Sequence, residues 1–370
     1  MNRFTIIASS ALLVLAASCA KVTPVQPADQ EITFAVANLS QATKASAFDT
    51  EQTFGTFAYW TPSSWATDGT THLYMNNEEI VYGGGVWAPV SPRFWPKSGK
   101  ISFASYAPYS KSGGEKGFSA APAYSYDHHF TFADYTVVPA ADVDLMFADD
   151  NNNKDCTNTT NTDGTAVISG EGVNDFKGVP TLFRHALTQV RFVFQQKSFG
   201  NPSIEEGESW IELALVQLVG MNDTNTFTDN EWDLEVAQGK TTYTLYDGQG
   251  TSALKIAKEG EEPTLAHDPM ILLPQILAAA SEDGGVSVRS QQLMVSYNIC
   301  TKFASNPVVQ RQEGLTVSVP LYQGGLSEWL MNQDITYLVT ISPVTDNPIT
   351  FDPAVADWTN MTGEISNAKE

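Results

Sequence analysis

Short segments that alternate apolar and polar residues recur along most of this chain, and they constrain its fold more than any other feature. Segments 53–60, 100–106 and 292–299 are examples, and Gly, Pro, Asn, Asp and Ser separate them. Successive side chains of a strand point to opposite faces, so this period predicts half-buried strands. Long helical periodicity is nearly absent, and only residues 139–147 are ambiguous between helix and strand. The sequence therefore predicts an all-β protein of the sandwich type.

A polar stretch at residues 149–164 divides the strands into two series. It contains no core-forming residue, which is typical of a long surface loop near a domain boundary. The second series begins with the alternating run 181–194, which we interpret as one strand. We place the boundary near Lys177, which predicts two β-sandwich domains at residues 47–177 and 178–370.

The first 18 residues have the pattern of an export signal. Arg3 precedes a short apolar run, and small residues lead directly to Cys19. The run is shorter than the roughly 20 apolar residues that span a bilayer. We therefore predict a lipoprotein signal peptide at residues 1–18 and acyl chains on Cys19 that anchor the protein in the outer membrane. Ordinary secretion with a chance cysteine is the alternative.

Charge and motif patterns argue against several classes of function. The chain has 42 Asp and Glu against 20 Lys and Arg, a net charge of −22, which repels phosphate and makes nucleic acid an unsuitable partner. No zinc, P-loop, dinucleotide or nucleophile-elbow motif occurs. The loop from Asp149 begins like a calcium loop, but Lys154 replaces the required glycine. We predict no catalytic residue, no cofactor and no metal site.

Several Trp, His and Cys residues admit both a structural and a functional interpretation. Four tryptophans suit either sugar stacking or, as their strand settings favour, core packing: Trp60, Trp65, Trp87 and Trp95. His185 lies in an alternating strand, which favours a structural role. Cys156 and Cys300 have such different contexts that two unpaired thiols are favoured over one disulfide.

One predicted strand, residues 32–39, stands apart at the start of the body. Ile32, Phe34 and Val36 alternate there with small or polar residues, so we expect them to face the first core. Residues 40–46 have no bulky apolar group and should form an exposed loop, which makes Lys44 accessible to a protease.

A short strand closes the chain. Ile349 and Phe351 lie between Pro348 and Pro353, each of which lacks a backbone N–H. A strand bracketed by prolines suits the edge of a sheet and not its centre.

Many of these segments, taken in order, resemble the fimbrillin family of Bacteroidales, lipoprotein pilins of the Mfa-like and FimA-like type. The matching segments are Ile32-Thr33-Phe34, Thr43-Lys44-Ala45, residues 54–59, Phe94-Trp95-Pro96, residues 101–109, Asp144-Leu145-Met146, residues 183–187, residues 271–275, Ile349-Thr350-Phe351 and residues 355–358. No single segment is specific, but together they span nearly the whole chain after Cys19.

The resemblance implies a fimbrial subunit made of two transthyretin-like β-sandwich domains and exported as a lipidated precursor. It also implies that a trypsin-like protease cuts the loop after the first strand, here between Lys44 and Ala45, although arginine is common at this place. The strand then leaves, and a strand from a neighbouring subunit fills the groove. The strand positions involved are Ile32, Phe34, Val36, Ile349 and Phe351.

The partners implied are other fimbrial subunits, the processing protease, the outer membrane and a host or bacterial surface receptor. An exposed sheet edge is a physical template for such strand addition. The alternative is a permanently lipid-anchored surface adhesin or glycan-binding lipoprotein that does not polymerise.

Overall fold

A computed structural model describes sixteen ranges of the chain. They are residues 30–38, 49–63, 71–125, 129–139, 143–148, 151–156, 178–199, 207–234, 241–248, 254–277, 281–283, 286–288, 291–303, 306–322, 326–343 and 349–357. These ranges contain no α-helix, which confirms the predicted all-β class. No helix long and apolar enough to cross a bilayer is found among them.

Ten strands form the first part of the chain. They are β1 Phe34–Asn38, β2 Phe54–Thr61, β3 His72–Gly83, β4 Val86–Pro89, β5 Lys100–Ala107, β6 Ala123–Ser125, β7 His129–Thr136, β8 Met146–Ala148, β9 Asn151–Asp155 and β10 Val179–His185.

Seventeen strands follow, several of them only two residues long. They are β11 Thr188–Gln196, β12 Glu208–Met221, β13 Thr224–Thr228, β14 Glu231–Trp232, β15 Thr241–Asp247, β16 Leu254–Lys255, β17 Ala257–Lys258, β18 Thr264–Leu265, β19 Met270–Leu272, β20 Gln275–Ile276, β21 Ser281–Asp283, β22 Val286–Val288, β23 Gln292–Phe303, β24 Asn306–Pro320, β25 Glu328–Trp329, β26 Gln333–Ile341 and β27 Ile349–Asp357.

The first sheet closes on itself. Its strands pair in the order β2-β3-β4-β1-β10-β8-β5, β5 pairs again with β2, and β9 pairs with the far part of β5. The inward side chains, among them Phe54, Ile80 and Phe103, form one core, which we call the N-terminal core. Strand β1 is the link between β4 and β10, so it completes this circuit.

Two further sheets enclose a second core, the C-terminal core. One has the order β17-β11-β26-β27, with β18 and β19 also on β11, and the other has the order β15-β12-β23-β24, with β16 also on β12. Their inward residues include Phe194, Leu213 and Ile335, all fully buried. This arrangement of two facing sheets is the one that the alternating sequence predicts.

A third cluster joins the two parts of the molecule. Strand β13 pairs with β7, in a sheet of order β14-β13-β7-β6. Phe132 of β7 stacks on Phe227 of β13 with ring centroids 5.2 Å apart. The cluster also contains Leu187 and Ile271, so it draws on residues from both series of strands. The division near residue 177 stays a prediction, and backbone pairing crosses it at β1–β10 and at β7–β13.

The interpretation of residues 181–194 as one strand is wrong. The run breaks at Ala186 and Leu187, so that β10 pairs with β1 and β8 in the first sheet while β11 lies in a different sheet. Ala186 is fixed between the sheets, because its N–H donates to the Leu145 carbonyl at 2.8 Å and its carbonyl accepts the Trp232 indole N–H at 2.5 Å. The alternation changes phase across the break, because the buried side chains are at odd positions up to His185 and at even positions from Thr188 to Phe192. The sequence analysis overlooked this change.

Part of the predicted surface loop at residues 149–164 is a strand. Residues Asn151–Asp155 form β9 and pair with β5, although their side chains are polar. Backbone N–H and C=O groups satisfy this pairing whatever the side chains are. Cys156, which follows, is 1% exposed and belongs to the N-terminal core, so the stretch does contribute one core residue.

Candidate functional site

The candidate site is the place that β1 occupies in the first sheet, which we call the β1 seat. On one side, the Val179 N–H donates to the Thr33 carbonyl at 2.7 Å, and five residues of β1 pair in parallel with β10. On the other side, the Ile32 N–H donates to the Arg93 carbonyl at 2.7 Å and the Trp95 N–H to the Gln30 carbonyl at 2.8 Å. The segment is therefore hydrogen-bonded along both of its edges.

The inward side chains of this segment are those that the alternation predicts. Ile32 is 0% exposed and Phe34 is 4% exposed, while Val36 is half-buried at the margin of the N-terminal core. The Phe34 ring makes edge contacts with Phe54 at 5.6 Å and Phe103 at 5.9 Å between centroids. Ile32 and Phe34 thus fill a pocket made by strands on both sides of the circuit.

Gly178 brings the chain unusually close to β1. Its φ is +126°, and a Cβ atom there would lie 2.8 Å from the Ala35 nitrogen and 2.9 Å from the Phe34 carbonyl carbon. Neither the conformation nor the space suits another residue. The wall of the β1 seat therefore requires glycine at this point, a feature that the sequence analysis did not identify.

The second predicted strand of the site lies far along the chain at the edge of a sheet. Strand β27 pairs with β26 and, among the described strands, with no other. Ile349 is fully buried in the C-terminal core, and the half-buried Phe351 ring packs on Tyr337 with centroids 5.7 Å apart. The predicted edge position is confirmed, but Pro353 does not end the strand, because it pairs with Tyr337 and β27 continues to Asp357.

The two strands share a sequence that the sequence analysis missed. Ile32-Thr33-Phe34 enters β1 and Ile349-Thr350-Phe351 opens β27. The tripeptide Ala-Val-Ala follows directly in the first strand, and after Asp352 and Pro353 in the last. In both strands the Ile and Phe side chains face a core. A search for internal repeats would have found this match from the sequence alone.

The other candidate residues are distributed as follows. Cys19, Lys44 and Ala45 lie outside the described residues, as does Trp65. Trp87 and Trp95 are each 6% exposed and belong to the N-terminal core, which confirms the packing interpretation for these two, and Trp60 is half-buried beside them.

His185 and the two remaining cysteines have structural surroundings. The His185 Nδ1 atom lies 2.7 Å from Asp144 Oδ2, and the histidine is 2% exposed. Cys156 and Cys300 are both buried and unbonded to each other, which confirms two separate thiols. Burial and the neighbouring Glu212 carboxylate raise the pKa of the Cys300 thiol to about 11, so this thiol stays protonated at neutral pH.

Solved structures resemble this chain over most of its length. A fimbrial protein from Bacteroides vulgatus ATCC 8482 matches with a TM-score of 0.58 and 19% identity, covering 89% of this chain and 99% of that one. A protein from Bacteroides ovatus ATCC 8483, provisionally described as a cell adhesion protein, has a TM-score of 0.47 and 14% identity over 90% and 99% of the two chains. No curated protein matches the sequence.

The family model described as fimbrillin-like matches residues 40–358. Such proteins have fimbrial or adhesive roles at the cell surface and are not enzymes. The match covers most of the chain, and the fold agrees with that of the fimbrial protein above. The chain belongs to the fimbrillin-like family.

Proposed function

We propose that this protein is a fimbrial subunit that is exported as a lipoprotein and assembled by strand exchange. In this proposal β1 is a removable plug, and β27 of a second copy fills the β1 seat after β1 has left. The observation that carries the proposal is the repeated Ile-Thr-Phe sequence, which occurs once in the occupied seat and once in β27, which pairs on one side only among the described strands.

The repeat fits the seat in one register. With Ile349 in place of Ile32 and Phe351 in place of Phe34, the same two side chains enter the same pocket. Phe34 lies opposite Val179 in a parallel pair, and Thr33 accepts the Val179 N–H. In a strand that lies between two others, every second residue forms its backbone hydrogen bonds with the same neighbour. Residues 33, 35 and 37 therefore bond to β10.

This register explains how a strand with a proline is compatible with the seat. Pro353 takes the place of Val36, whose N–H points away from β10. Asp352 and Ala354 take the places of residues 35 and 37, and both have the N–H that the β10 ladder requires. Pro353 therefore removes no hydrogen bond to β10.

Loss of β1 would leave an apolar groove that favours refilling. The two fully buried side chains, Ile32 and Phe34, contribute about 1.5–3 kcal/mol each, and both edges of the segment lose backbone partners. The total is comparable to the net stability of an ordinary domain, about 5–15 kcal/mol. A cut subunit is thus driven to accept another strand, while the uncut precursor stays monomeric.

Two further parts of the proposal concern processing and anchoring. A trypsin-like protease cuts between Lys44 and Ala45, and acyl chains on Cys19 hold the precursor in the outer membrane. Replacement of Cys19 by Ala should abolish labelling with a palmitate analogue and release the protein from membranes. Unchanged labelling would contradict the lipoprotein assignment but would leave strand exchange intact.

Limited trypsin digestion of the purified precursor tests the central step. Cleavage should occur first between Lys44 and Ala45, and multimers should then appear on a native gel, whereas Lys44→Ala should stay monomeric. A synthetic peptide with the sequence 349–357 should bind the cut protein and suppress multimers. The same peptide with Phe351→Asp is the matched control and should do neither.

The alternative is a permanently anchored adhesin in which β1 never leaves. The hydrogen bonds along both edges of the segment are compatible with that function as well. If the protein is cut at Lys44 but keeps residues 30–38 and does not bind the 349–357 peptide, the alternative is established and the pilin proposal is refuted.

A further inference from the structure

Phe94 exposes an aromatic side chain at the entrance of the β1 seat. It is 39% exposed, whereas the other phenylalanines of the described ranges are buried or half-buried. The backbone at this point is fixed, because the Tyr74 hydroxyl donates to the Phe94 carbonyl and the next side chain, Trp95, is buried in the N-terminal core. We call residues 93–95 the entrance wall. Its outer side carries an apolar ring that the folded chain leaves partly uncovered.

Glu31, the residue before Ile32, lies across from Phe94. The two residues form an isolated antiparallel bridge. The backbone bonds lie one residue to either side, since the Ile32 N–H and the Trp95 N–H each donate across the bridge. The Glu31 N–H therefore takes no part in the pairing with the entrance wall, and the Glu31 and Phe94 side chains lie on the same outer face. Glu31 is itself exposed.

The register proposed for the donor strand brings Pro348 of a second copy to this point. With Ile349 seated as proposed, Pro348 takes the place of Glu31 and Asn347 that of the residue before it. Proline lacks an N–H, but the N–H at this place makes no bond to the entrance wall, so the replacement costs no hydrogen bond there. Proline also restricts the preceding residue to extended conformations, which suits Asn347 as the acceptor for the Trp95 N–H.

We infer that Phe94 recognises Pro348 of an incoming second copy and so favours the donor strand over β1. This inference rests on the proposed strand exchange. Side chains of such a pair have Cβ atoms about 4.5–5.5 Å apart, so the proline ring covers the exposed ring of Phe94. The face of an aromatic ring is negative and does not attract the carboxylate of Glu31, whereas a proline ring packs well on it. The donor strand therefore gains a contact that β1 lacks.

Two acetylated peptides from this chain, 346–357 and 349–357, test the inference by titration calorimetry on the trypsin-cut protein. The longer peptide should bind at least about tenfold more tightly, because it adds the Pro348 contact and the bond from the Trp95 N–H. Pro348→Ala in the longer peptide should lower its affinity about fivefold, and so should Phe94→Ala in the protein. The two changes together should lower it no further than either one alone, as a direct contact requires.

Three controls accompany these measurements. Phe94→Tyr keeps the ring and should bind the longer peptide like the parent. Val90→Ala removes another exposed apolar side chain close by in the sequence and should also bind like the parent. The shorter peptide should bind the parent and Phe94→Ala equally, and equal urea midpoints should show that all variants fold.

The outcomes separate this inference from strand exchange itself. Equal affinity of the two peptides would overturn the inference, and so would independent losses that multiply to about twenty-fivefold. Weaker binding of the shorter peptide to Phe94→Ala would also overturn it, because the ring would then act inside the seat. Strand exchange would survive each of these results, since the shorter peptide still binds the parent. If neither peptide binds, strand exchange is refuted and the role of Phe94 with it.

Discussion

The first and the last strands of this protein begin alike but are held differently. Ile32-Thr33-Phe34 lies between two neighbours and is bonded along both edges, whereas Ile349-Thr350-Phe351 has a neighbour on one side only among the described strands. Phe34 is 4% exposed and Phe351 is half-buried. The difference teaches that the role of each strand depends on the sheet that surrounds it, because the side chains themselves are the same.

The largest expected effect is the loss of the ring at the centre of the β1 seat. Phe34→Ala should destabilise the precursor by about 3–5 kcal/mol, because the space between Phe54 and Phe103 cannot collapse easily. Urea unfolding monitored by fluorescence measures this change. A loss below about 1 kcal/mol would mean that Phe34 is loosely packed and that β1 is held no more firmly than β27.

Gly178 provides the next test, since it concerns the wall of the seat and not the strand. Gly178→Ala should cost about 2–3 kcal/mol, because a Cβ there meets the backbone of β1 and the φ of +126° is strained. Gly83→Ala is the matched control, since its added Cβ meets nothing within 4 Å. If both variants unfold at the same urea concentration, the close approach has no energetic consequence.

The proposed register of the incoming strand can be tested with two variants of the 349–357 peptide. Asp352→Pro removes an N–H that bonds to β10, so affinity for the cut protein should fall about tenfold. Pro353→Val places valine where β1 has Val36 and should bind at least as well as the parent peptide. Equal weakening by both changes would show that the peptide sits in another register.

The smallest expected effect belongs to β27. Phe351→Ala in the precursor should cost only about 1 kcal/mol, because its ring is half-buried beside Tyr337. The same variant should nevertheless suppress multimers after cleavage at Lys44. Normal multimers together with a large loss of stability would contradict this prediction. Phe351 would then stabilise the precursor, as proposed for Phe34, and would not be needed for assembly.

Alternation of side chains was sufficient to predict the class of fold and the residues that face the cores. Strands β2, β5 and β23 lie where the sequence indicates, and Ile32 and Phe34 point inward as expected. A period of two residues reports which face a side chain occupies, and it contains no information on which strand lies beside it. The sequence pattern therefore could not predict that β1 pairs with β10, and only the structure shows it.

The missed features have the same physical cause. The break at Ala186 depends on bonds to Leu145 and Trp232, which are distant in sequence. Strand β9 forms from polar residues because β5 offers unpaired backbone groups, and Gly178 matters only when β1 lies against it. Local sequence does not encode these long-range encounters.

The parallel alignment of β1 with β10 has a mechanical consequence. A strand in this seat that is pulled along its own axis loads all of its backbone bonds at once, in shear. A strand pulled sideways from a sheet edge releases its bonds one after another, as a zipper does. Because the seat holds its occupant along both edges, a tension applied along the occupant is shared by the bonds on both sides.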